Sequence, residues 1–289
     1  MIPGKFEYHR PGTVDEVVAL LVEHGDEGRV VAGGHSLIPM MKLRLATPSH
    51  LIDLRSLDAL KGVGEDGGDI VIGAMVTQAE VLGSSLLADK CPILGACASL
   101  IADPQVRNCG TIGGNVANGD PGNDMPAVMM ALNASYVLAG PDGERTVAAR
   151  AFYEAAYFTA RGDDELLTGI RIPLPAAGHG HAYEKLKRKV GDYATAAAAV
   201  ILSVDGDRCT SAAITLTNLA QTPLYAQAAS EALAGGVVDA DAIANAASLA
   251  KGITEPVADL RGSVEYKVAM AGVVTARAIA TALARAQAN

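Results

Sequence analysis

The stretch that decides the fold of this chain is Val30-Val31-Ala32-Gly33-Gly34-His35-Ser36-Leu37. It begins as a short apolar strand, turns abruptly at two glycines and opens a helix-like segment. Paired glycines allow positive φ and let the backbone approach a ligand closely. Successive main-chain N–H groups in such a turn form an anion-binding concavity, and a helix N-terminus at Ser36 adds positive partial charge. The stretch therefore indicates a pyrophosphate site built from backbone groups rather than from Lys or Arg.

A second glycine pair lies in Thr111-Ile112-Gly113-Gly114-Asn115-Val116-Ala117-Asn118-Gly119-Asp120, which we interpret as part of a Gly/Asn/Asp-rich loop over 110–124. Neither glycine pair lies in a G-x-G-x-x-G sequence, which disfavours a Rossmann dinucleotide site at either of them. Gly114 and Gly119 have the spacing of a Walker loop, but Asp120-Pro121 follows them instead of Lys-Ser or Lys-Thr. Ordinary tight turns explain one glycine pair well. Because there are two pairs, each after an apolar strand, a ligand site and ordinary tight turns are equally good interpretations of the sequence.

The residues around the first glycine pair predict a small βαβ unit. A helix over 13–24 precedes it, with Thr13 as N-cap, Glu16 completing a capping box and Gly25 ending the helix. The strands and helix predicted for the unit cover 29–32, 36–45 and 51–54.

Two further parts of the chain have different patterns. The middle part is mixed, with a predicted strand over 70–74, a capping box at Thr77 and Glu80, a helix over 86–102 broken by Pro92, and a hairpin turn at Pro141-Asp142-Gly143. The last third predicts an antiparallel meander over 183–217, followed by Ala-rich helices over 226–251 and 263–287. We predict an α+β protein with an N-terminal subdomain (1–55), a middle subdomain (56–176) and a C-terminal α+β domain (177–289).

Charge and hydropathy argue against two classes of protein. The formal net charge is −9, which argues against a nucleic-acid surface, because such a surface needs a basic stripe to neutralise phosphates. The first ten residues contain no apolar run typical of a signal peptide, and the longest low-polarity stretch, 194–204, is too short to cross a bilayer. We therefore expect a cytoplasmic protein with no transmembrane segment. Any association with the inner face of the membrane would be through partner proteins.

The cysteines do not form a metal-binding pattern. Cys91, Cys97, Cys109 and Cys209 include no C-x-x-C pair and lack the clustered spacing of iron–sulfur or zinc ligands. We expect all four to be reduced and buried, as cytosolic cysteines usually are. The sequence predicts no metal site in this chain.

With these motifs in place, the sequence resembles the medium subunits of the molybdenum hydroxylases almost from end to end. Ala32-Gly33-Gly34-His35-Ser36 and Thr111-Ile112-Gly113-Gly114-Asn115 match the two flavin pyrophosphate loops of that family. The other matching stretches are 40–44, 101–108, 119–124, 183–189 and 191–195. The His-Ser form of the first loop, and the Lys-rich segment before Gly191-Asp192-Tyr193-Ala194-Thr195, are most similar to the carbon monoxide dehydrogenase branch.

The resemblance implies a vanillyl-alcohol-oxidase-like (PCMH-type) FAD-binding fold and one noncovalently bound FAD, followed by a C-terminal antiparallel sheet with helices. In the family, both glycine segments contact the FAD pyrophosphate. The implied FAD-binding residues are Val31, Ala32, Gly33, Gly34, His35, Ser36, Leu37, Ile101, Thr111, Ile112, Gly113, Gly114, Asn115, Asp124, Leu166, Leu167, Lys185 and Tyr193.

Several of these residues also have a purely structural interpretation. Asp124 contacts the flavin, caps the helix that begins near Met125, or does both. Ile101, Leu166 and Leu167 match positions that pack on the flavin, and they are equally suited to the core. His35 is either a ligand contact or a surface imidazole.

Two further interpretations concern the flavin ring. Tyr193, the one residue to which the resemblance gives a catalytic role, either shields a face of the isoalloxazine ring and controls access to N5, or is a half-buried strand tyrosine. Lys185, Lys187 and Lys189 alternate along a predicted strand and so share a face. Three interpretations of this face are open: it is a solvated edge, it contacts a partner chain, or its Lys185 stabilises the reduced, negatively charged flavin.

The resemblance places the remaining redox centres on other chains. It implies an iron–sulfur small subunit and a molybdenum large subunit, in a dimer of heterotrimers, with electrons leaving the flavin to an external acceptor such as a quinone. Three alternatives remain open from the residues: the medium subunit of a xanthine- or aldehyde-type hydroxylase, a self-sufficient FAD oxidoreductase of the same fold, and a non-catalytic nucleotide-binding module.

Overall fold

The computed structural model describes residues 2–288, and it confirms the predicted α+β architecture. Its helices are α1 (Val14–His24), α2 (Leu37–Lys42), α3 (Gln78–Gly83), α4 (Ser85–Lys90), α5 (Pro92–Leu100), α6 (Pro104–Cys109), α7 (Ile112–Ala117), α8 (Met125–Ala131), α9 (Gln227–Leu233), α10 (Ala240–Gly252) and α11 (Val264–Ala288). Its strands are β1 (Glu7–His9), β2 (Gly28–Val31), β3 (His50–Asp53), β4 (Val63–Asp66), β5 (Asp69–Gly73), β6 (Ser135–Gly140), β7 (Gly143–Ala148), β8 (Tyr153–Ala155), β9 (Phe158–Thr159), β10 (Leu166–Pro173), β11 (Gly180–Leu186), β12 (Ala196–Asp205), β13 (Arg208–Thr217) and β14 (Leu224–Tyr225).

The N-terminal part is a three-stranded parallel sheet in the order β1-β3-β2. Thr13 caps α1 by accepting a hydrogen bond from the Glu16 N–H, and Gly25 follows the helix with φ 48°. The predicted capping box is wrong in one detail, because the Glu16 carboxylate accepts from the Gly12 N–H at 2.7 Å rather than from the N-cap. The βαβ unit of β2, α2 and β3 is confirmed, and β1 is an additional strand that the sequence analysis did not predict.

The middle part is a five-stranded antiparallel sheet in the order β4-β5-β10-β6-β7, whose hydrophobic core is shared by the short helices α3, α4, α5, α7 and α8, while α6 packs on α3. The predicted capping box of α3 is present, with Thr77 and Glu80 satisfying each other's backbone N–H groups. Pro92 separates α4 from α5 as predicted, because it occupies the first helical position of α5. Pro141 and Asp142 form the predicted turn of the β6–β7 hairpin.

The C-terminal part has a four-stranded antiparallel sheet in the order β11-β12-β13-β14, with α9 to α11 packed on it. The predicted helix over 226–251 is interrupted, because α9 ends at Leu233 and α10 begins only at Ala240. The alanines of β12 are fully buried between the middle core and a second core beneath α11. Small side chains on both faces let this strand lie between two closely packed layers.

Helix α11 is long and apolar enough to cross a membrane by length and composition alone. The expectation that 194–204 is the longest low-polarity stretch is therefore wrong. One face of α11 packs on β11 and β12 and is buried, including Ala278, Ile279 and Ala282. This one-sided burial is typical of a core helix in a folded domain.

Candidate functional site

A cleft of about 950 Å³ runs between the three parts of the chain. Its walls come from the turn after β2, from α7, from the start of β10, and from β11 and the segment after it. Seventeen of the eighteen candidate residues line this one cleft: Val31, Ala32, Gly33, Gly34, His35, Ser36, Leu37, Ile101, Thr111, Gly113, Gly114, Asn115, Asp124, Leu166, Leu167, Lys185 and Tyr193. The eighteenth candidate, Ile112, does not line the cleft, because it is fully buried in the middle core. The volume of the cleft is at the upper end of the range for ligand sites.

The first glycine turn is held against the middle part of the chain. Gly34 has φ 73°, in the left-handed region that favours glycine. A Cβ on Gly33 would lie 2.3 Å from the carbonyl oxygen of Cys109. Only a residue without a side chain therefore allows the turn to approach the segment that leads into α7. The two glycine motifs, far apart in sequence, thus lie side by side.

The first turn also leaves backbone donors free. Within the described residues 2–288, the N–H groups of residues 33–36 make no hydrogen bond to the protein. His35 is exposed, whereas the neighbouring residues of the turn are partly buried. Consecutive unpaired N–H groups in a turn of this kind suit an anionic oxygen, such as that of a pyrophosphate.

The second glycine segment was predicted as a loop, and the structure shows a helix there instead. Thr111 is the N-cap of α7, and its hydroxyl accepts from the Gly114 N–H at 3.0 Å. Gly113 donates its N–H to the Ala74 carbonyl oxygen, and a Cβ at Gly113 would lie 2.5 Å from that oxygen. The helix therefore forms despite two poor helix formers, because its backbone packs directly against the residue after β5. In contrast to the first turn, the N-terminal N–H groups of this segment are hydrogen-bonded to other atoms of the protein.

Asn115 fixes the end of α7 to the start of α8. Its side-chain oxygen accepts from the Met125 N–H at 3.2 Å, and its backbone carbonyl accepts from the Asn123 side chain at 2.7 Å. Asn115, rather than Asp124, therefore caps the N-terminus of α8 with its side chain. The Asp124 side chain makes no capping hydrogen bond, so the capping interpretation of Asp124 is wrong.

The Asp124 carboxylate instead joins the middle part of the chain to β11. It accepts from the Tyr183 hydroxyl at 2.5 Å and from the Lys185 ammonium at 2.7 Å. The side chains of Lys185 and Asp124 are only 1% and 6% exposed. Burial raises the pKa of Asp124, and the Lys185 ammonium and the Tyr183 hydroxyl oppose that shift. The cleft wall therefore carries a fixed, partnered cation.

The lysine strand differs from its prediction. Strand β11 ends at Leu186, so Lys187 and Lys189 lie beyond it. Lys185 is neither a solvated edge residue nor free to face a partner, because its side chain is buried and paired with Asp124. Lys187 reaches the same Leu100 carbonyl oxygen as Lys185, at 3.5 Å and 3.3 Å respectively.

Tyr193 lies at the cleft rim in the loop before β12 and is 43% exposed, so it is half-buried as one alternative had it but does not lie in a strand. Asp192 anchors this loop by accepting from Arg188, Arg261 and the Tyr193 N–H. Burial, with Asp120 nearby, raises the pKa of Tyr193 to about 12, so its hydroxyl stays protonated near neutral pH. The side chain can present a neutral aromatic face and a hydroxyl donor to a ligand in the cleft.

The apolar candidates form part of the same wall. Ile101, Leu166 and Leu167 line the cleft and are almost fully buried. They therefore combine the two alternatives that the sequence left open, since they belong to the core and also face the cleft.

Gln78 is a cleft residue that the sequence analysis missed. Its side chain is 2% exposed, and neither its Nε2 nor its Oε1 atom has a partner within the described residues. An unpaired buried amide costs free energy, so such groups call for an explanation. A ligand with both a donor and an acceptor would satisfy it. Position N1 of α3 gives no sequence signal of this role.

The cysteines agree with prediction except at one position. Cys91, Cys97 and Cys209 are buried thiols, and burial raises the pKa of each. Cys109 is exposed, because it ends α6 at the surface, so the expectation that all four are buried is wrong.

Comparison with known proteins decides the family. Residues 4–175 match the FAD binding domain in molybdopterin dehydrogenase, and residues 181–282 match the CO dehydrogenase flavoprotein C-terminal domain. The chain is 58% identical to the carbon monoxide dehydrogenase medium chain of Afipia carboxidovorans over 287 residues, covering 99% of this chain and 100% of the relative. It belongs to the carbon monoxide dehydrogenase medium-chain family.

Two further comparisons agree with this family. The medium chain of Hydrogenophaga pseudoflava is 48% identical, covering 99% of each chain. A chain of the crystal structure of cyanide-inactivated Cu,Mo-CO dehydrogenase superposes with a TM-score of 0.98 at 58% identity, covering 99% of this chain and 100% of the other. The FAD-binding fold that the family resemblance implied is confirmed. The chain is an oxidoreductase flavoprotein subunit by family, and the xanthine-type alternative has less support.

Proposed function

We propose that this chain binds one noncovalent FAD in the described cleft and relays electrons as the medium subunit of an aerobic carbon monoxide dehydrogenase. Electrons would arrive from iron–sulfur clusters on a small subunit, after carbon monoxide is oxidised at a molybdenum centre on a large subunit. They would leave to an external acceptor such as a quinone. The observation that carries the proposal is the convergence of two distant glycine segments on one cleft that also holds an unpaired, buried amide, Gln78.

The cleft fits the chemistry of FAD at several points. The free N–H groups of residues 33–36 suit the pyrophosphate oxygens. Gln78 offers both a donor and an acceptor, and Ile101, Leu166 and Leu167 provide an apolar surface for a planar ring. FAD supplies a centre that exchanges electrons one or two at a time.

Lys185 and Tyr193 are the residues we assign to the redox end of the cleft. The Lys185 ammonium is held in place by Asp124, so it provides a fixed positive charge that favours a more negative ligand without any reorganisation. Tyr193 stays a neutral phenol at neutral pH and covers the rim, where its ring limits the access of water and small molecules. We assign it a positioning and shielding role at the flavin ring.

The partners follow from the chemistry that this chain lacks. Three of the four cysteines are buried thiols at separate places, and no two of them form a recognisable cluster-binding motif. We propose that the chain assembles with an iron–sulfur subunit and a molybdenum subunit as a dimer of heterotrimers. We place this assembly in the cytoplasm, at the membrane surface only through those partners.

Acid precipitation of the purified assembly tests the cofactor assignment. The expected result is one free FAD per medium chain in the supernatant, because no covalent flavin linkage motif is present in the sequence. Colour that stays in the pellet would contradict the noncovalent assignment. A complete lack of flavin would contradict the proposed function.

A further inference from the structure

Three histidines converge at one place outside the FAD cleft. His9 is the last residue of β1, His24 is the last residue of α1, and His50 is the first residue of β3. One ligand nitrogen from each lies within 4.8 Å of the others. All three side chains are partly buried, and none of them lines the cleft. Residues so far apart in sequence, with no motif spacing, are brought together only by the fold.

The hydrogen bonding of this cluster is incomplete. His9 Nε2 and His50 Nδ1 lie 3.0 Å apart and share a proton between them. The His24 ring stacks on the His50 ring with centroids 3.7 Å apart, but stacking satisfies no ring nitrogen. His24 Nε2 is buried and has no hydrogen-bond partner within residues 2–288. A buried ring nitrogen without a partner is costly, and it can act as a ligand atom for a missing group.

A carboxylate is also at hand. Glu7 pairs directly with His50 across the parallel β1–β3 register, and its Oε2 atom lies 3.7 Å from His50 Nδ1. Glu7 and His9 are two residues apart on β1, so they project from the same face of the strand. The cluster thus offers three imidazoles and one exposed carboxylate, in a chain of net charge −9 that favours cations.

We propose that His9, His24 and His50, with Glu7 as a fourth ligand, form a binding site for a divalent transition-metal ion of the Zn²⁺ type. Imidazole and carboxylate are ligands that Zn²⁺ accepts in tetrahedral sites, with Zn–N distances of about 2.0–2.1 Å. Such distances place ligand nitrogens roughly 3.3 Å apart, so the nitrogens must approach one another by on the order of 1 Å, and the stacked His24 and His50 rings must rotate out of their parallel arrangement. The ion would satisfy the unpaired His24 nitrogen.

The consequence of this site is a cross-link within the N-terminal sheet. The ion ties the end of α1 to β1 and β3, and β3 pairs with β2, the strand that leads into the first glycine turn. The inference does not depend on the proposed FAD function, because its ligands lie outside the cleft. A metal that binds only the folded chain raises the melting temperature.

Titration of the EDTA-treated, dialysed full-length chain with Zn²⁺, followed by metal analysis after desalting, tests the site. We expect one equivalent per chain, a raised melting temperature, and affinity at least 10-fold weaker in each of His9→Asn, His24→Asn and His50→Asn. Cys109→Ser, which removes the one exposed thiol, serves as the control and should bind as the wild type does. No binding by the wild type, or loss of binding in Cys109→Ser alone, would overturn the proposal.

Co²⁺ provides a readout that does not depend on the folding of any variant. The Co²⁺-loaded wild-type chain should show the visible bands of a tetrahedral nitrogen and oxygen site, without a thiolate charge-transfer band in the near ultraviolet. A thiolate band would assign the metal to a cysteine and would refute the histidine site.

Discussion

The Lys185 ammonium lies 2.7 Å from the Asp124 carboxylate, so a buried ion pair joins β11 to the start of α8 on the wall of the cleft. Both groups are desolvated, and Tyr183 adds a third contact to the carboxylate. A pair of this kind fixes the position of a positive charge on the wall of the cleft. It also makes the position of that charge depend on the packing of the C-terminal domain against the middle part.

We predict that Lys185→Met destabilises the chain by about 3–5 kcal/mol, because it leaves the Asp124 carboxylate buried without its cation. Urea unfolding monitored by circular dichroism measures the change. The double variant Lys185→Met/Asp124→Asn should recover most of the loss, since neither charge then remains. A loss below about 1 kcal/mol in the single variant would show that the pair is not buried in solution.

We predict that Gly114→Val abolishes FAD binding while most of the fold survives. A Cβ at Gly114 would lie 2.9 Å from the Thr111 hydroxyl, and a branched side chain would extend over the cleft wall. Gly95→Ala in α5 is the matched control, because a Cβ there meets nothing within 4 Å. Normal flavin content in the purified Gly114→Val assembly would show that α7 is not at the ligand.

Gln78→Leu should separate stability from binding. The substitution removes two unpaired buried polar atoms, so the flavin-free chain should gain stability, by about 1 kcal/mol. The same substitution should lower FAD affinity at least 10-fold, because the ligand loses a donor and an acceptor. Thermal melting of the flavin-free chain and FAD titration measure the two effects. Unchanged affinity would remove Gln78 from the site.

The stability of the chain should fall as the pH drops from about 6.5 towards 4, and His181 should contribute to that fall. Burial, with Arg285 and His179 nearby, lowers the pKa of His181 to about 4. An unfolded histidine titrates near pH 6.5, so between these values the unfolded chain binds a proton that the folded chain does not. Denaturation between pH 7.5 and 4.5 should show a shallower pH dependence in His181→Gln. An identical dependence would contradict the assignment.

The sequence predicted the elements that have strong local patterns. The helix capped by Thr13, the βαβ unit and the hairpin at Pro141-Asp142 are all present, because caps and turns act over a few residues. The loop predicted over 110–124 was wrong over Ile112–Ala117, which form α7, since burial of Gly113 against Ala74 outweighs the low helix propensity of glycine; residues 118–124 are loop as predicted. Strand β1 has only three residues and depends on its pairing with β3.

In the candidate site, too, only features with a local sequence pattern could be predicted. The two glycine segments could be recognised in the sequence because their chemistry depends on a few consecutive residues. Gln78 and the three histidines could not, because only tertiary contacts bury the amide or bring His9, His24 and His50 together. The subdomain boundaries at residues 55 and 176, and the contact of each candidate residue with FAD, stay predictions.

The most direct measurement of the relay function is carbon monoxide-dependent bleaching of the flavin absorbance, recorded for the lone chain reconstituted with FAD and for the assembled, metal-containing complex. We predict bleaching in the complex and none in the lone chain, because reducing equivalents reach this cleft only through a partner. Bleaching of the lone, metal-free chain by carbon monoxide would contradict the relay function. Bleaching of the complex by a purine or an aldehyde but not by carbon monoxide would contradict the proposed substrate.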